Sequence, residues 1–520
     1  NYITSINLIK MKYTPVTAVW EITFACNMRC KHCGSSCTNA LPDELTEEEA
    51  LKVCDEIGEL KLSYITLSGG EPLMRKDWHK IAKRLKENNV TPNMITNGWL
   101  LTKENVRMAK EAGISNIAIS LDGLKETHDF MRKEGSFDRI VRSLDILKEN
   151  KMPSSIITTV NNKNIHELPK LYELLKEKNV KNWQMQYAMP MGNFVENRDL
   201  IIEPHQIDDI IEFAHKTLNE NKIRIDLADC VGYYNNDEIE VRTHTHETKE
   251  YLWTGCLAGK NVLGIRYNGN VVGCTSLRDD VFIEGNVRDR SLVDLWNDEK
   301  SFEWNRKLTK DQLTGFCANC QFGAYCLAGC SVLKFTTGKK LVENNYCSYK
   351  VAVDKEKFEI NKIEDENILL EKGNLALEEE QYQIAEICFS KLYEANKNKV
   401  EIINALGYIH YQLENYDSCI DLNIASLAID KNNAYAHKGL GLSLVKKGKK
   451  AEGIENLEKS ISLADDDFLD PYYDLALVLY QEDEINKAKE ILNQGRQKSK
   501  NFIETSKELY DLILEEEASN

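Results

Sequence analysis

Nowhere does the chain contain an apolar run approaching the roughly 20 residues that a membrane-spanning helix needs, so an integral membrane protein with helical spans is excluded. The first thirteen residues lack the apolar core of a secretory signal, which predicts a cytoplasmic protein. Basic charge is scarce as well. The 66 Lys and Arg stand against 83 Asp and Glu, a net charge of -17, whereas a nucleic-acid-binding surface wants the opposite sign. Neither a nucleic-acid nor a membrane partner is therefore expected. What the chain does have is 42% hydrophobic and 29% charged residues, the balance of packed globular domains. Its 520 residues are too many for one ordinary domain. It also has 15 cysteines. A reducing compartment keeps cysteines out of disulfides, so this number reads as metal ligation.

The cysteines are grouped. Cys26, Cys30 and Cys33 form a C-x3-C-x2-C motif, followed by Cys37. Three thiolates from one short loop can face a single metal centre. A closed zinc knuckle would need a fourth ligand, for which His32 and Cys37 are candidates. The 3-then-2 spacing also suits a cubane iron-sulfur cluster with one iron left open. A second group follows: Cys256, then Gly269 and Cys274, then Cys317-x2-Cys320-x5-Cys326-x3-Cys330, and finally Cys347. A zinc ribbon would use Cys317, Cys320, Cys326 and Cys330 but leave Cys256, Cys274 and Cys347 without a role. Cys54, Cys388 and Cys419 fall in helical patterns and read as buried apolar side chains.

Strand-like and helix-like segments alternate over 15–220, which predicts βα units around a parallel sheet. Six strands are expected, at 18–25, 63–69, 92–98, 116–123, 154–162 and 183–190. The second ends in the glycines of Ser68-Gly69-Gly70-Glu71-Pro72, which let a ligand approach the backbone closely. The fourth ends in Ser120-Leu121-Asp122-Gly123, whose small polar groups could meet ribose hydroxyls or simply end the strand. Arg132 offers a bidentate fork for a carboxylate. THTHE at 243–247 is expected to be a solvated strand or loop. After about residue 365 the cysteine clusters vanish and helix formers dominate. Gly373, Gly407 and Gly441 recur every 34 residues, and each is followed twelve residues later by Ala385, Cys419 and Gly453. Four such units over 366–500 and a closing helix at 503–516 are expected.

The first cysteine motif together with GGEP resembles the radical S-adenosylmethionine (SAM) enzymes, and the seven-cysteine order resembles their SPASM extension. The resemblance implies a partial (β/α)6 TIM barrel, with the site at the C-terminal ends of the strands, and a small α+β iron-sulfur domain. The 34-residue period resembles an all-α tetratricopeptide (TPR) solenoid. The implied division is 1–215 barrel, 216–255 connector, 256–350 SPASM and 351–520 repeats. Three [4Fe-4S] clusters are implied. Cys26, Cys30 and Cys33 would carry the SAM-binding one, whose open iron chelates the SAM amine and carboxylate; reduction then yields methionine and a 5′-deoxyadenosyl radical. Cys317, Cys320, Cys326 and Cys347 would hold the outer auxiliary cluster and Cys256, Cys274 and Cys330 the inner. The inner set is one thiolate short, so it has either an open iron or another ligand such as Cys230. SAM contacts are implied for His32, Gly69, Gly70, Glu71, Asn97, Ser120, Asp122 and Arg132, with Asn97 equally readable as a surface residue.

The family acts on peptides, sulfatases or cofactor precursors. Sulfatase maturation expects an Asp after the second auxiliary-region cysteine, but Thr275 follows Cys274 here. About 17 residues precede the first strand, so no N-terminal peptide-recognition domain is expected, and the repeats are expected to take over recognition. The resemblance therefore implies an oxidoreductase of the ribosomal-peptide-maturase kind, acting on a peptide or protein and fed by a low-potential donor such as flavodoxin or ferredoxin. The alternatives are small-molecule or cofactor synthesis, sulfatase maturation and a non-catalytic iron-sulfur scaffold.

Overall fold

The computed structural model describes residues 13–519; residues 1–12, which carry the signal-sequence expectation, and Asn520 lie outside them. The chain divides into two compact units, one built from residues up to 351 and the other essentially from 352 onward.

In the first unit all six expected strands form: β1 (Thr17–Glu21), β2 (Tyr64–Ser68), β3 (Thr91–Thr96), β4 (Ile117–Ser120), β5 (Ser154–Val160) and β6 (Asn182–Tyr187). They pair in parallel in sequence order. Helices cover the crossovers. Glu47–Glu59 is started by a capping box, in which Thr46 Oγ1 accepts from the Glu49 N–H and the Glu49 carboxylate accepts from the Thr46 N–H. β-branched and aromatic residues in TAVWE, YITLS and SSIITTV favour the pleated chain, and alternate positions such as Ala18 and Trp20, and Ile65 and Leu67, are buried in the core. Trp20, Trp183, Ile65, Ile117 and Ile119 are fully buried, each worth about 1.5–3 kcal/mol in apolar transfer.

The sheet is larger than the six expected units. β7 (Arg224–Leu227) adds in parallel to β6, so the stretch read as a connector supplies a strand. On the other side β8 (Val262–Ile265), from the auxiliary-cysteine region, pairs in parallel with β1. β9 (Asn270–Val272) and β10 (Gly285–Asn286) then continue antiparallel. The order is β10-β9-β8-β1-β2-β3-β4-β5-β6-β7, an open, barrel-like sheet in ten strands. These edge strands run only two to four residues, too short for a clear alternation in the sequence.

THTHE is not a strand or loop but the end of the helix Asn236–His246. Asn235 caps it by accepting from the Asp237 and Glu238 N–H groups. Glu238, Val241, Arg242 and Thr245 are buried at helical spacing, and this packing overrides the β-branched composition.

The second unit is helical. Four hairpins follow one another: Glu366–Glu378 with Tyr382–Ala395, Val400–Gln412 with Tyr416–Ile429, Ala434–Lys446 with Lys450–Leu463, and Asp470–Gln481 with Ile485–Lys498. Two helices, Lys500–Thr505 and Lys507–Ser519, stand where a single closing helix was expected. The left-handed residues Glu380, Glu414, Gly448 and Asp483 sit in the turns inside the hairpins, so the period recurs in the backbone. At Gly441 a Cβ would lie 2.8 Å from the Gly453 carbonyl oxygen on the partner helix, which is why that pair is glycine. Among the described residues no helix is long and apolar enough to cross a membrane.

Candidate functional site

A cavity of about 440 Å3 lies at the C-terminal ends of the strands. Cys26, Cys30 and Cys33 on the loop after β1 wall one side, with Gly69 and Gly70 after β2, Asn97 after β3 and Ser120 on β4. Gln186, Tyr187 and Met189 come from the end of β6, and Asp229 and Cys230 follow β7. Cys256, Cys274 and Cys330 complete the lining. The first cysteine group and three cysteines of the second therefore open onto one chamber.

The cysteine loop is held from several directions. Asn97 is buried rather than at the surface; its Nδ2 donates to Asn27 Oδ1 at 2.7 Å and lies 4.0 Å from Cys26 Sγ. Asn193 Nδ2 donates to the Cys30 carbonyl, and the Asn193 N–H donates to that of Cys33. Gly192 sits at φ +54°, where a Cβ would lie 2.3 Å from the Cys33 oxygen. Arg278 pairs with Glu21 of β1 and donates to Ser35, tying the auxiliary region to this loop.

The two glycines also have a structural reason. The Gly70 N–H donates to the Thr23 carbonyl, and a Cβ at Gly70 would stand 2.2 Å from the Ala25 oxygen. They are needed for β2 to close against the chain's own β1 extension, and they line the chamber from there. The Glu71 and Asp122 carboxylates are turned to partners inside the protein. Glu71 is fully buried and accepts from Thr96 Oγ1, the Asn97 N–H and the Leu73 N–H, fixing the end of β3. Asp122, also fully buried, accepts from the Thr159 N–H at 2.9 Å and from Arg132 Nε. A charge without water must find such partners, and here they are in the protein.

Arg132 and His32 do line the chamber, but they too are engaged. The Arg132 guanidinium lies 3.9 Å from Cys30 Sγ and 3.5 Å from His32 Nε2, which is 3.2 Å from Asp122. Burial pushes Asp122 up, but the Arg132 charge, and after it His32, outweigh this and hold its carboxyl well below the usual range. Burial lowers His32 to about 4, so it is neutral near pH 7.

The donor set suits iron and sulfide. The Cys37 thiol and the backbone N–H groups of Cys37, Ser35 and Ser36 converge on the Cys33 sulfur and lower it to about 5, favouring the thiolate that ligation needs. Burial pushes Cys30 to about 12, against the pull of Arg132. Asn305, itself buried, holds the Cys256 and Ala258 carbonyls at 2.8 and 2.7 Å. Lys334 is fully buried, donates to the Leu327 carbonyl, and sits within electrostatic reach of Cys256, Cys330, Cys326 and Cys317, a cation among thiols. Cys317, Cys320 and Cys326 are buried and Cys347 half-buried. Among the described residues no three Cys, His, Asp or Glu side chains close on the tight set that a single ion such as zinc requires. Cys54, Cys388 and Cys419 are fully buried in helices, as read from their pattern.

Sequence reasoning did not find Tyr187, Met189, Asp229 or Arg278, which have no motif. Cys230 was named as one possible further ligand of the inner set, and it lines the chamber. The run MPMGNFVEN after β6, with a glycine between methionines and asparagines, was the one available signal for the clamp on the cysteine loop.

Fold and lining together describe a parallel-sheet protein with thiols gathered at the C-terminal ends of its strands. The radical SAM superfamily matches residues 20–175, and an iron-sulfur cluster-binding SPASM domain matches 256–321. The chain belongs to the radical SAM superfamily, whose members catalyse radical reactions, and the two domains imply [4Fe-4S] chemistry and SAM. It is 32% identical to an AdoMet-dependent heme synthase of Methanosarcina barkeri over 358 residues, 66% of this chain and 99% of that one. It is 27% identical to the mycofactocin maturase MftC of Mycolicibacterium smegmatis over 63% of this chain and 81% of that one. Streptococcus suis SuiB bound to SAM shares the fold at TM-score 0.52 and 16% identity, over 65% of this chain and 78% of that one.

Proposed function

We propose that the chamber is where a C–H bond of a peptide or protein substrate is broken oxidatively. Cys26, Cys30 and Cys33 would hold the SAM-binding [4Fe-4S] cluster, Cys256, Cys274 and Cys330 an inner auxiliary cluster, and Cys317, Cys320, Cys326 and Cys347 an outer one. When bound, the first cluster and SAM supply a 5′-deoxyadenosyl radical able to take hydrogen from an unactivated carbon. The chain's own residues do the rest. Asn97 and Asn193 fix the cysteine loop, and Arg132 sets a positive charge beside Cys30. Gly69, Gly70 and Ser120 offer SAM close polar contact, while Tyr187, Met189 and Met191 wall the chamber against water. The observation that carries this reading is that one cavity is lined by Cys26, Cys30 and Cys33 and also by Cys256, Cys274 and Cys330, so a cluster on the second set would lie beside the one on the first.

The helical hairpins at 34-residue period read as TPR-like repeats that recognise the peptide or a partner protein. The low-potential electron is expected from flavodoxin or ferredoxin. The likeness to the mycofactocin maturase supports the peptide substrate. A second reading, oxidation of an iron porphyrin, is favoured by the likeness to the heme synthase along nearly its whole length. The test is anaerobic incubation of the reconstituted, reduced full chain with SAM and either candidate peptides or an iron porphyrin. 5′-Deoxyadenosine should form and be lost in Cys26→Ala, and the substrate that loses mass identifies the class. Unchanged 5′-deoxyadenosine in Cys26→Ala overturns the cluster assignment.

A further inference from the structure

We propose that Cys230 is the fourth thiolate of the inner auxiliary cluster, completing Cys256, Cys274 and Cys330; the inference rests on the reading above that those three hold a cluster. Cys230 follows β7 and faces the chamber with the other three. Within electrostatic reach of Cys330 lie three thiols: Cys256, Cys230 and Cys274.

A single phenol locks the Cys230 segment to the Cys330 segment. Tyr233 Oη donates to the Asp229 carbonyl at 2.7 Å and accepts from the Cys330 N–H at 2.9 Å, so the backbones entering the two cysteines meet at one oxygen. This bridge has a conformational cost. Gly232, Tyr233 and Tyr234 all adopt positive φ, +106°, +90° and +59°. For the two tyrosines such backbone costs on the order of 1–3 kcal/mol each, and such strain collects at functional sites. Gly232 is required there, because a Cβ would stand 2.6 Å from Glu238 Cγ.

The sulfur is also prepared for ligation. The Tyr187 backbone N–H donates to Cys230 Sγ, the kind of contact that stabilises a thiolate on iron. The Tyr187 hydroxyl is buried without a hydrogen-bond partner and lies within electrostatic reach of Cys230, Cys330 and Cys347, where a cluster sulfide or thiolate would accept from it. On ligation each thiol gives up its proton to solvent and its sulfur donates an electron pair to iron. With four thiolates from the chain the inner cluster would have no open iron and so no site at which to bind the substrate.

The test uses the full chain carrying Cys26→Ala, Cys30→Ala and Cys33→Ala, which leaves only the auxiliary clusters. It is reconstituted anaerobically, with and without Cys230→Ala or Cys230→Ser. In the parent, mild ferricyanide oxidation should leave the inner cluster intact. In Cys230→Ala it should release about one iron per chain and give the paramagnetic resonance signal of a [3Fe-4S] cluster. Cys230→Ser, which keeps an oxygen ligand, should be intermediate and reports on ligation where Cys230→Ala folds poorly. A parent that already yields the [3Fe-4S] signal, unchanged by Cys230→Ala, overturns the proposal and leaves an open iron. If Cys256→Ala and Cys330→Ala also leave the iron content unchanged, the inner-cluster reading itself fails, a result distinct from failure of Cys230 alone.

Discussion

The buried charges beneath the cysteine loop allow a quantitative test. In Asp122→Asn the amide oxygen can still accept from the Thr159 N–H, but the amide NH2 now faces the Arg132 guanidinium, donor against donor. The Arg132 side chain is only 10% exposed, so water cannot take the place of the lost carboxylate. Removing one partner of a buried ion pair costs about 3–5 kcal/mol, most of it from the charge left behind. Set against the roughly 5–15 kcal/mol that holds a domain folded, this is a large fraction. The partner test is Asp122→Asn with Arg132→Met. With both charges gone, most of the loss should return, because the stranded cation was its cause. The assay is anaerobic urea unfolding of the metal-free chain, followed by fluorescence of the buried Trp20 and Trp183, which report on the first unit. A loss below about 1 kcal/mol in the single variant, or additive losses in the double, would refute the reasoning.

Three other outcomes follow from the same geometry. His128 is fully buried, its Nδ1 accepts from the Asp122 N–H, and burial lowers it from 6.5 to about 4. The folded chain then binds fewer protons than the unfolded one between those values, so this contribution is complete above pH 6.5 and about 3 kcal/mol is lost by pH 4. His32 adds a slope of the same sign, so urea midpoints at pH 7 and 4.5 should converge in His128→Asn without becoming equal. Asn305→Ala strands the Cys256 and Ala258 carbonyls and should cost about 2–3 kcal/mol, seen as an earlier melt of the first unit and faster iron loss. Gly441→Val drives side-chain atoms into the Gly453 backbone and should destabilise the helical unit by about 1–3 kcal/mol. Its unfolding transition should move while that of the first unit stays.

Much of the fold was legible because its signals are local. The six central strands run four to seven residues between turn signals, long enough for composition to register. The edge strands β7 to β10 were not, since two to four residues carry too little pattern and their strand state comes from pairing. THTHE was expected to be a solvated strand or loop, and it is the buried face at Glu238, Val241, Arg242 and Thr245 that makes it the end of the helix Asn236–His246. At the site the residue types were legible and their orientation was not. Glu71 and Asp122 were expected among the SAM contacts; the structure adds buried partners that no spacing shows, Thr96, Asn97 and Leu73 for Glu71 and Thr159 and Arg132 for Asp122.

By itself the sequence determined the cysteine spacings and the 34-residue period, because residues within a few turns of one another are held at fixed separations by the backbone. It determined the family on that ground. Only the tertiary structure decided that the first cysteine group and three cysteines of the second open onto one chamber and that Cys230 joins Cys256, Cys274 and Cys330 there. Asp229 and Cys330, far apart along the chain, meet through the Tyr233 hydroxyl. Such proximity is set by packing and by the partners a buried polar group must find, and no spacing along the chain records it.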